Sequence, residues 1–176
     1  MPKQEGQKSK LVTLLRILEQ RTDENHRLNV PQLVQLLENQ GILAERKSIY
    51  SDIDTLRSLG YDIQLQRGRG GGYWMASRAF ELSELKLLVD AVESSRFITE
   101  KKSTALIKKL GHLTSTAQAE QLDRRIYMGG TPKPENESIY YNVDTIHNAV
   151  QKKQQITFQY FEYTPKKSVS YTHLTL

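Results

Sequence analysis

Basic and short polar side chains lie close together in the run AERKSIYSDIDTLRSLG, in the first third of the chain. Their guanidinium, ammonium and hydroxyl groups can donate hydrogen bonds to base edges and to phosphate oxygens. The major groove of duplex DNA is wide enough to admit a helix that carries such groups. Taken alone, the same composition is typical of a solvated helix face. The candidate DNA contacts in this run are Arg46, Lys47, Ser48, Tyr50 and Ser51.

The run has the spacing of an amphipathic helix. Its apolar residues are four, three and three positions apart, which places them on one stripe at the helical period, and Gly60 then ends the helix. Of the two acids near its middle, we expect Asp52 to make an internal polar contact and Asp54 to lie near the DNA. The apolar stripe consists of Ile49, Ile53, Leu56 and Leu59.

A basic hairpin is predicted directly after this helix. Residues 61–66 alternate between apolar and polar, and an apolar run at residues 73–75 follows the turn RGRGGG. Arg67 and Arg69 in that turn could enter a minor groove or neutralise phosphates, whereas Tyr73 and Trp74 are expected in a small core. A nucleotide-binding glycine loop is rejected, because such a loop opens a helix and here a strand follows.

Two amphipathic helices precede the polar one. Asn29 is predicted to cap the second of them, with Gln32 completing a capping box and Pro31 in the first turn. The short link from Ile42 to Glu45 fits the turn of a helix-turn-helix. The apolar positions of the two helices are Leu11, Leu14, Leu15 and Leu18, then Leu33, Val34, Leu36 and Leu37.

These elements resemble a bacterial WYL-domain transcriptional regulator with a DeoR-like winged helix at its N-terminus. The resemblance is carried by residues 48–56 (SIYSDIDTL), 69–73 (RGGGY) and 156–160 (ITFQY). It implies a sequence-specific transcription factor, usually dimeric, whose C-terminal domain senses a ligand. The tripeptide that names the family is absent from this chain, so no effector site is transferred.

The predicted fold is mainly α with a small β-hairpin. A winged helix-turn-helix spans residues 1–79, and a helical linker that could dimerise spans residues 80–128. Residues 129–167 are predicted to hold the first helix and strand of a truncated α/β sensor domain. Residues 168–176 are predicted to be a non-native tail. Within the later segments, Ser83 is expected to cap the helix over residues 80–96, and Asn142 a helix that ends at Lys153. The strand at residues 156–160 is expected to lack its partners.

Composition limits the classes of function. The chain has 176 residues, 26% of them charged, and a net charge of +5, which is ordinary for a globular protein and favours an anionic partner. Residues 1–80 hold twelve basic and nine acidic side chains, so local placement must matter more than total charge. Without cysteine there is no disulfide or thiolate chemistry. No run reaches the length of a membrane span and no signal-peptide core is visible, so the cytoplasm is the expected compartment.

Catalysis and metal binding have no positive signal. The four histidines lack the spacing of a zinc site, and no residues suggest a catalytic triad, so we expect neither enzyme activity nor a cofactor. The prediction is a regulator that binds double-stranded DNA as a homodimer, with the polar helix in the major groove and the basic wing on the minor groove or backbone. The alternative is a winged-helix module for protein interaction, or an accessory domain of a larger enzyme.

Overall fold

The computed structural model describes residues 4–123, 133–136, 138–163 and 169–175. Two compact units divide the chain: residues 1–94 with 101–131, and residues 95–100 with 132–176. Within the described ranges, no helix is long and apolar enough to cross a membrane. The predicted domain boundary near residue 128 lies outside the described residues.

The first unit is mainly helical with one small antiparallel hairpin, which confirms the coarse fold prediction. Three helices come first: α1 (Gln4–Arg21), α2 (Val30–Glu38) and α3 (Arg46–Ser58). Strands β1 (Ile63–Gln66) and β2 (Gly72–Met75) pair with Ile63 opposite Met75 and Gln66 opposite Gly72. Helices α4 (Leu82–Ser94), α5 (Glu100–Gly111) and α6 (Thr116–Asp123) follow.

One apolar core holds α1, α2, α3 and the hairpin together. It buries most of the apolar stripes predicted from the sequence, because each helix turns its stripe toward the other two. Leu59 is the exception in the α3 stripe: it lies at the C-cap and is 65% exposed. The fully shielded members of this core are Leu14, Leu18, Leu33, Leu37, Ile49, Ile53, Leu56 and Ile63.

The start of α2 is capped as predicted. The Gln32 N–H donates to Asn29 Oδ1 at 3.0 Å, and the Asn29 N–H donates to Gln32 Oε1 at 2.8 Å. Pro31 lies in the first turn, where its missing N–H costs nothing. By contrast, Glu45 occupies the N-cap of α3 without a side-chain cap hydrogen bond. Packing of its apolar stripe, rather than capping, therefore stabilises α3.

Helices α4, α5 and α6 share a small core of their own, made of Leu85, Val89, Ile107 and Leu122. Helix α6 also contacts α1. The predicted Ser83 cap is wrong. Helix α4 begins at Leu82, and the carbonyl of Glu81 already accepts the Leu85 N–H at 3.0 Å.

The second unit contains α7 (Ser138–Gln151), β3 (Thr157–Tyr163) and β4 (Val169–Thr175). The predicted Asn142 cap is wrong, because α7 begins four residues earlier. Strand β3 covers most of the predicted strand. We expected it to lack a partner, but β4 pairs with it antiparallel, with Thr157 opposite Thr175 and Tyr163 opposite Val169. Residues 168–176 were expected to be a non-native tail, so no strand was predicted there.

Candidate nucleic-acid interface

Helix α3 presents its polar face to solvent. Ile49, Ile53 and Leu56 point into the core, whereas Tyr50, Ser51, Asp54 and Thr55 are exposed. Tyr50, the largest of these, is 45% exposed. Ser48 is half-buried, and its hydroxyl donates to the carbonyl oxygen of Glu45 at 2.8 Å. The exposed candidates on this face are Arg46, Lys47, Tyr50 and Ser51.

The hairpin turn exposes both candidate arginines, Arg67 and Arg69. Gly68 has φ of 102° and Gly70 has φ of 75°, a conformation that side chains with a Cβ rarely adopt. The Gly71 N–H closes the turn on the carbonyl of Gly68 at 3.0 Å. Glycines at these positions therefore allow a tight turn from which two cations extend.

A groove separates the hairpin from α3 and from the start of α2. Arg46 and Tyr50 line it from α3, and Asn29 lines it from α2. The hairpin supplies the opposite wall from Leu65 to Tyr73. The fold thus brings two of the predicted contacts to one concave surface with the basic hairpin. The remaining candidates, Lys47, Ser48, Ser51, Arg67 and Arg69, do not line this groove.

The acidic residues of α3 are partly neutralised. Asp52 turns inward and lies 2.8 Å from Lys10 Nζ, measured from its Oδ2, which confirms the predicted internal contact. Asp54 stays exposed and lies 3.4 Å from Arg57 Nη1. Because Asp52 is paired on the core side, its charge does not oppose Lys47 on the outer face.

Arg57 joins α3 to the hairpin. Its Nε donates to the carbonyl of Ile63 at 2.8 Å, and its guanidinium carbon lies 5.7 Å from the centre of the Tyr73 ring. Burial raises the pKa of Tyr73, although the positive charge of Arg57 opposes that shift. Tyr73 is 6% exposed, so the prediction that it belongs to the core is confirmed. The same prediction for Trp74 is wrong, because Trp74 is only half-buried and lies outside the core cluster. The contacts of Arg57 fix the angle between the two predicted reading elements.

Asp23 anchors the α5–α6 connection to the loop that follows α1. Its buried carboxylate accepts the Ser115 hydroxyl at 2.5 Å on Oδ2 and the N–H groups of Asn25 and His26 at 2.9 Å on Oδ1. Burial alone would raise the pKa of Asp23, but hydrogen bonds from Ser115 and His26 outweigh it and lower that pKa. The carboxylate is therefore held in its charged form.

Arg78 ties the end of the hairpin to the end of α1. Its guanidinium donates to the carbonyls of Glu19 and Met75 at 3.0 Å and of Thr22 at 2.5 Å. The Thr22 hydroxyl in turn accepts the Met75 N–H at 3.0 Å. Burial lowers the pKa of Arg78, against the opposing charges of Asp23 and Glu19. The hairpin is thus anchored at its base, while its turn projects into solvent.

Sequence reasoning missed the part of the groove that comes from the N-cap and first turn of α2. Asn29, Val30 and Pro31 line the groove, although the sequence marked Asn29 only as a cap. Arg27 lies over Trp74, with its guanidinium carbon 5.0 Å from the ring centroid. No periodic pattern surrounds Arg27, so only the tertiary pairing of the loop before α2 with β2 could reveal its position.

Among the described residues, no group of three or more histidine or acidic side chains is arranged to hold a metal ion. Comparison of the chain with protein-family models, curated proteins and solved structures finds no match. The geometry of the first unit is therefore the basis for a functional assignment.

Proposed function

We propose that this protein is a cytoplasmic, sequence-specific transcriptional regulator that binds duplex DNA. Helix α3 enters the major groove, and the turn of the hairpin contacts the minor groove or the backbone. The observation that carries the proposal is the shared groove, which places Arg46 and Tyr50 of α3 opposite the hairpin.

The distribution of charge supports this assignment. Arg67 and Arg69 are exposed in the hairpin turn, where cations attract phosphates. Asp52 is neutralised by Lys10 on the core side of α3, so it adds little repulsion toward a DNA backbone. The outer face thus combines base-reading hydroxyl and guanidinium groups with backbone-neutralising charge.

The order of elements supports a winged helix-turn-helix. Three helices precede the hairpin, and residues 39–45 form the short connection between α2 and α3. In the second unit, a helix followed by a strand is the order that the WYL resemblance implies for the start of a sensor domain. We include in the proposal a homodimer whose effector is bound by the sensor domain.

Selection of bound sequences from random duplex DNA at physiological salt tests the function. We expect the intact chain to enrich one sequence motif. The Lys47→Ala variant should lose base preference at some positions of that motif, because Lys47 projects from the exposed face of α3. The matched control is Lys8→Ala, which removes an exposed lysine from α1. Absence of any enriched motif with the intact, folded chain would contradict the proposal.

A further inference from the structure

Arg27 lies beside the hairpin, next to a residue that forms an isolated β-bridge with β2. Leu28 forms an isolated antiparallel bridge with Tyr73: the Leu28 N–H donates to Tyr73 O at 3.0 Å, and the Tyr73 N–H donates to Leu28 O at 2.8 Å. This register places Arg27 next to Trp74. The 5.0 Å separation between the guanidinium carbon and the ring centroid is that of a cation stacked on an aromatic face.

The stack lies on the side of the hairpin away from the core. Side chains alternate across a strand, and Tyr73 and Met75 of β2 are buried. Trp74, between them, points to the opposite side and is half-buried. Its partner Gln64 on β1 is exposed. Arg27 therefore covers the outer surface of the hairpin and has no place in the apolar core.

Apart from the Trp74 ring, the positive charge of Arg27 has no protein partner in the described part of the chain. Its Nε is shielded from solvent and makes no hydrogen bond there, and no ion pair forms with its guanidinium. The other stacked arginine, Arg57, donates a hydrogen bond from its Nε to the carbonyl of Ile63 and pairs with Asp54. Arg27 is thus held in place by Trp74 while its donors are uncommitted.

Arg27 and Trp74 do not line the groove, but each lies two residues from a residue that does. Asn29 lies two residues after Arg27 and lines the groove, and Gly72 lies two residues before Trp74 and lines it too. The start of α2 offers few free donors at this edge, because Asn29 caps the Gln32 N–H and Pro31 has none. An anion that follows the edge of the groove therefore needs a side-chain cation.

We infer that Arg27, fixed by its stack on Trp74, binds a backbone phosphate of the DNA alongside the groove. This inference rests on the proposed function. A planar guanidinium matches phosphate geometry, and stacking leaves the N–H groups at its rim free to donate. The contact recognises phosphate and not a base, so it raises affinity for all sequences equally.

The experiment measures affinity of the full chain for its selected duplex between roughly 50 and 200 mM salt. We expect Arg27→Gln to reduce the slope of log affinity against log salt by about one, and to leave the selected motif unchanged. Arg27→Lys retains the charge and should keep the slope. Arg16→Gln, which removes an exposed arginine of α1 outside the groove, is the matched control and should also keep it.

Three results would overturn the inference. If the intact chain binds DNA and folded Arg27→Gln keeps its slope, Arg27 only covers Trp74, and the proposed function stands without it. If Arg27→Gln does not fold, Arg27→Lys decides: a slope lowered by one despite the retained charge contradicts a charge contact. Failure of the intact chain to bind any duplex removes both the proposed function and this inference.

Discussion

Lys10 Nζ lies 2.8 Å from Asp52 Oδ2, and the two side chains retain only 10% and 18% of their exposure. The pair joins the second turn of α1 to the middle of α3. It fixes the rotation of α3 about its own axis, because Asp52 can meet Lys10 only when Ile49 and Ile53 face the core. The orientation of the polar face of α3 thus depends on a contact on its opposite side.

Lys10→Met should lower the free energy of unfolding by about 3 kcal/mol, since it leaves the shielded Asp52 carboxylate without its partner. The double variant Lys10→Met, Asp52→Leu should recover much of that loss, because no unpaired charge remains. Urea denaturation measures both, with Lys8→Met as an exposed control on the same helix. Additive losses in the double variant would show that the two residues are not coupled.

Asp23 should make stability depend on pH. Its pKa is lowered below the ordinary value of 3.8 in the folded protein, so the folded state favours the carboxylate. The contribution of Asp23 to the free energy of unfolding is fully present when the pH is above its ordinary pKa of 3.8. That contribution is lost as the pH falls through the lower pKa of the folded state. Asp23→Asn should therefore destabilise the protein at neutral pH, and the difference should shrink in acid.

Chemical denaturation of both proteins from about pH 2.5 to pH 7 checks this dependence on the Asp23 carboxylate. Glu24→Gln is the matched control, because Glu24 is next to Asp23 in the sequence and is exposed. A difference between Asp23→Asn and the parent that is constant over the whole range would refute the assignment of the low pKa to Asp23.

Gly72→Ala should disrupt the contact between the loop before α2 and the hairpin. A Cβ at Gly72 would lie 2.6 Å from the carbonyl carbon and oxygen of Leu28, and both are backbone atoms. We expect a loss of about 1–3 kcal/mol in the free energy of unfolding. Gly6→Ala is the control, because a Cβ there meets nothing within 4 Å. Equal stability of the two variants would argue against the close approach.

Arg69→Ala should weaken binding to all DNA sequences and lower the salt slope by about one, because its exposed guanidinium would neutralise a phosphate. Filter binding or fluorescence anisotropy over low to moderate salt measures the slope. The selected motif should stay the same. An unchanged affinity and slope would exclude the hairpin turn from the interface.

The proposed homodimer predicts two half-sites about one helical turn, roughly 34–36 Å, apart on the DNA. Footprinting of the selected duplex, combined with sedimentation of the free protein, tests this spacing. A single unrepeated half-site bound by a monomer would contradict the dimer.

The helices of the first unit were predictable because their apolar residues recur at the helical period. The polar residues that cap them also contact only residues nearby in the sequence. The Asn29 capping box is an example, since its two hydrogen bonds join residues three positions apart. The two wrong caps, Ser83 and Asn142, have a common cause. Both helices begin before these residues, one position earlier for α4 and four positions earlier for α7.

Contacts between distant residues were not predictable in the same way. The bond from Ser115 to Asp23 spans 92 positions, and that from Met75 to Thr22 spans 53. Nothing in the local sequence of Arg27 marks it as the neighbour of Trp74. Candidate residues on α3 could be chosen from periodicity, but the groove that they share with the hairpin depends on the packing of three separate segments.

The loop from Thr22 to Asn29 meets three parts of the first unit within eight residues. Asp23 holds the α5–α6 turn through Ser115, Thr22 holds the base of β2, and Leu28 is bridged to Tyr73. A displacement of the α5–α6 turn would therefore also displace the loop from Thr22 to Asn29, which positions the wall of the groove. The helices after the hairpin are thus connected to the wall of the groove through contacts that do not involve α3.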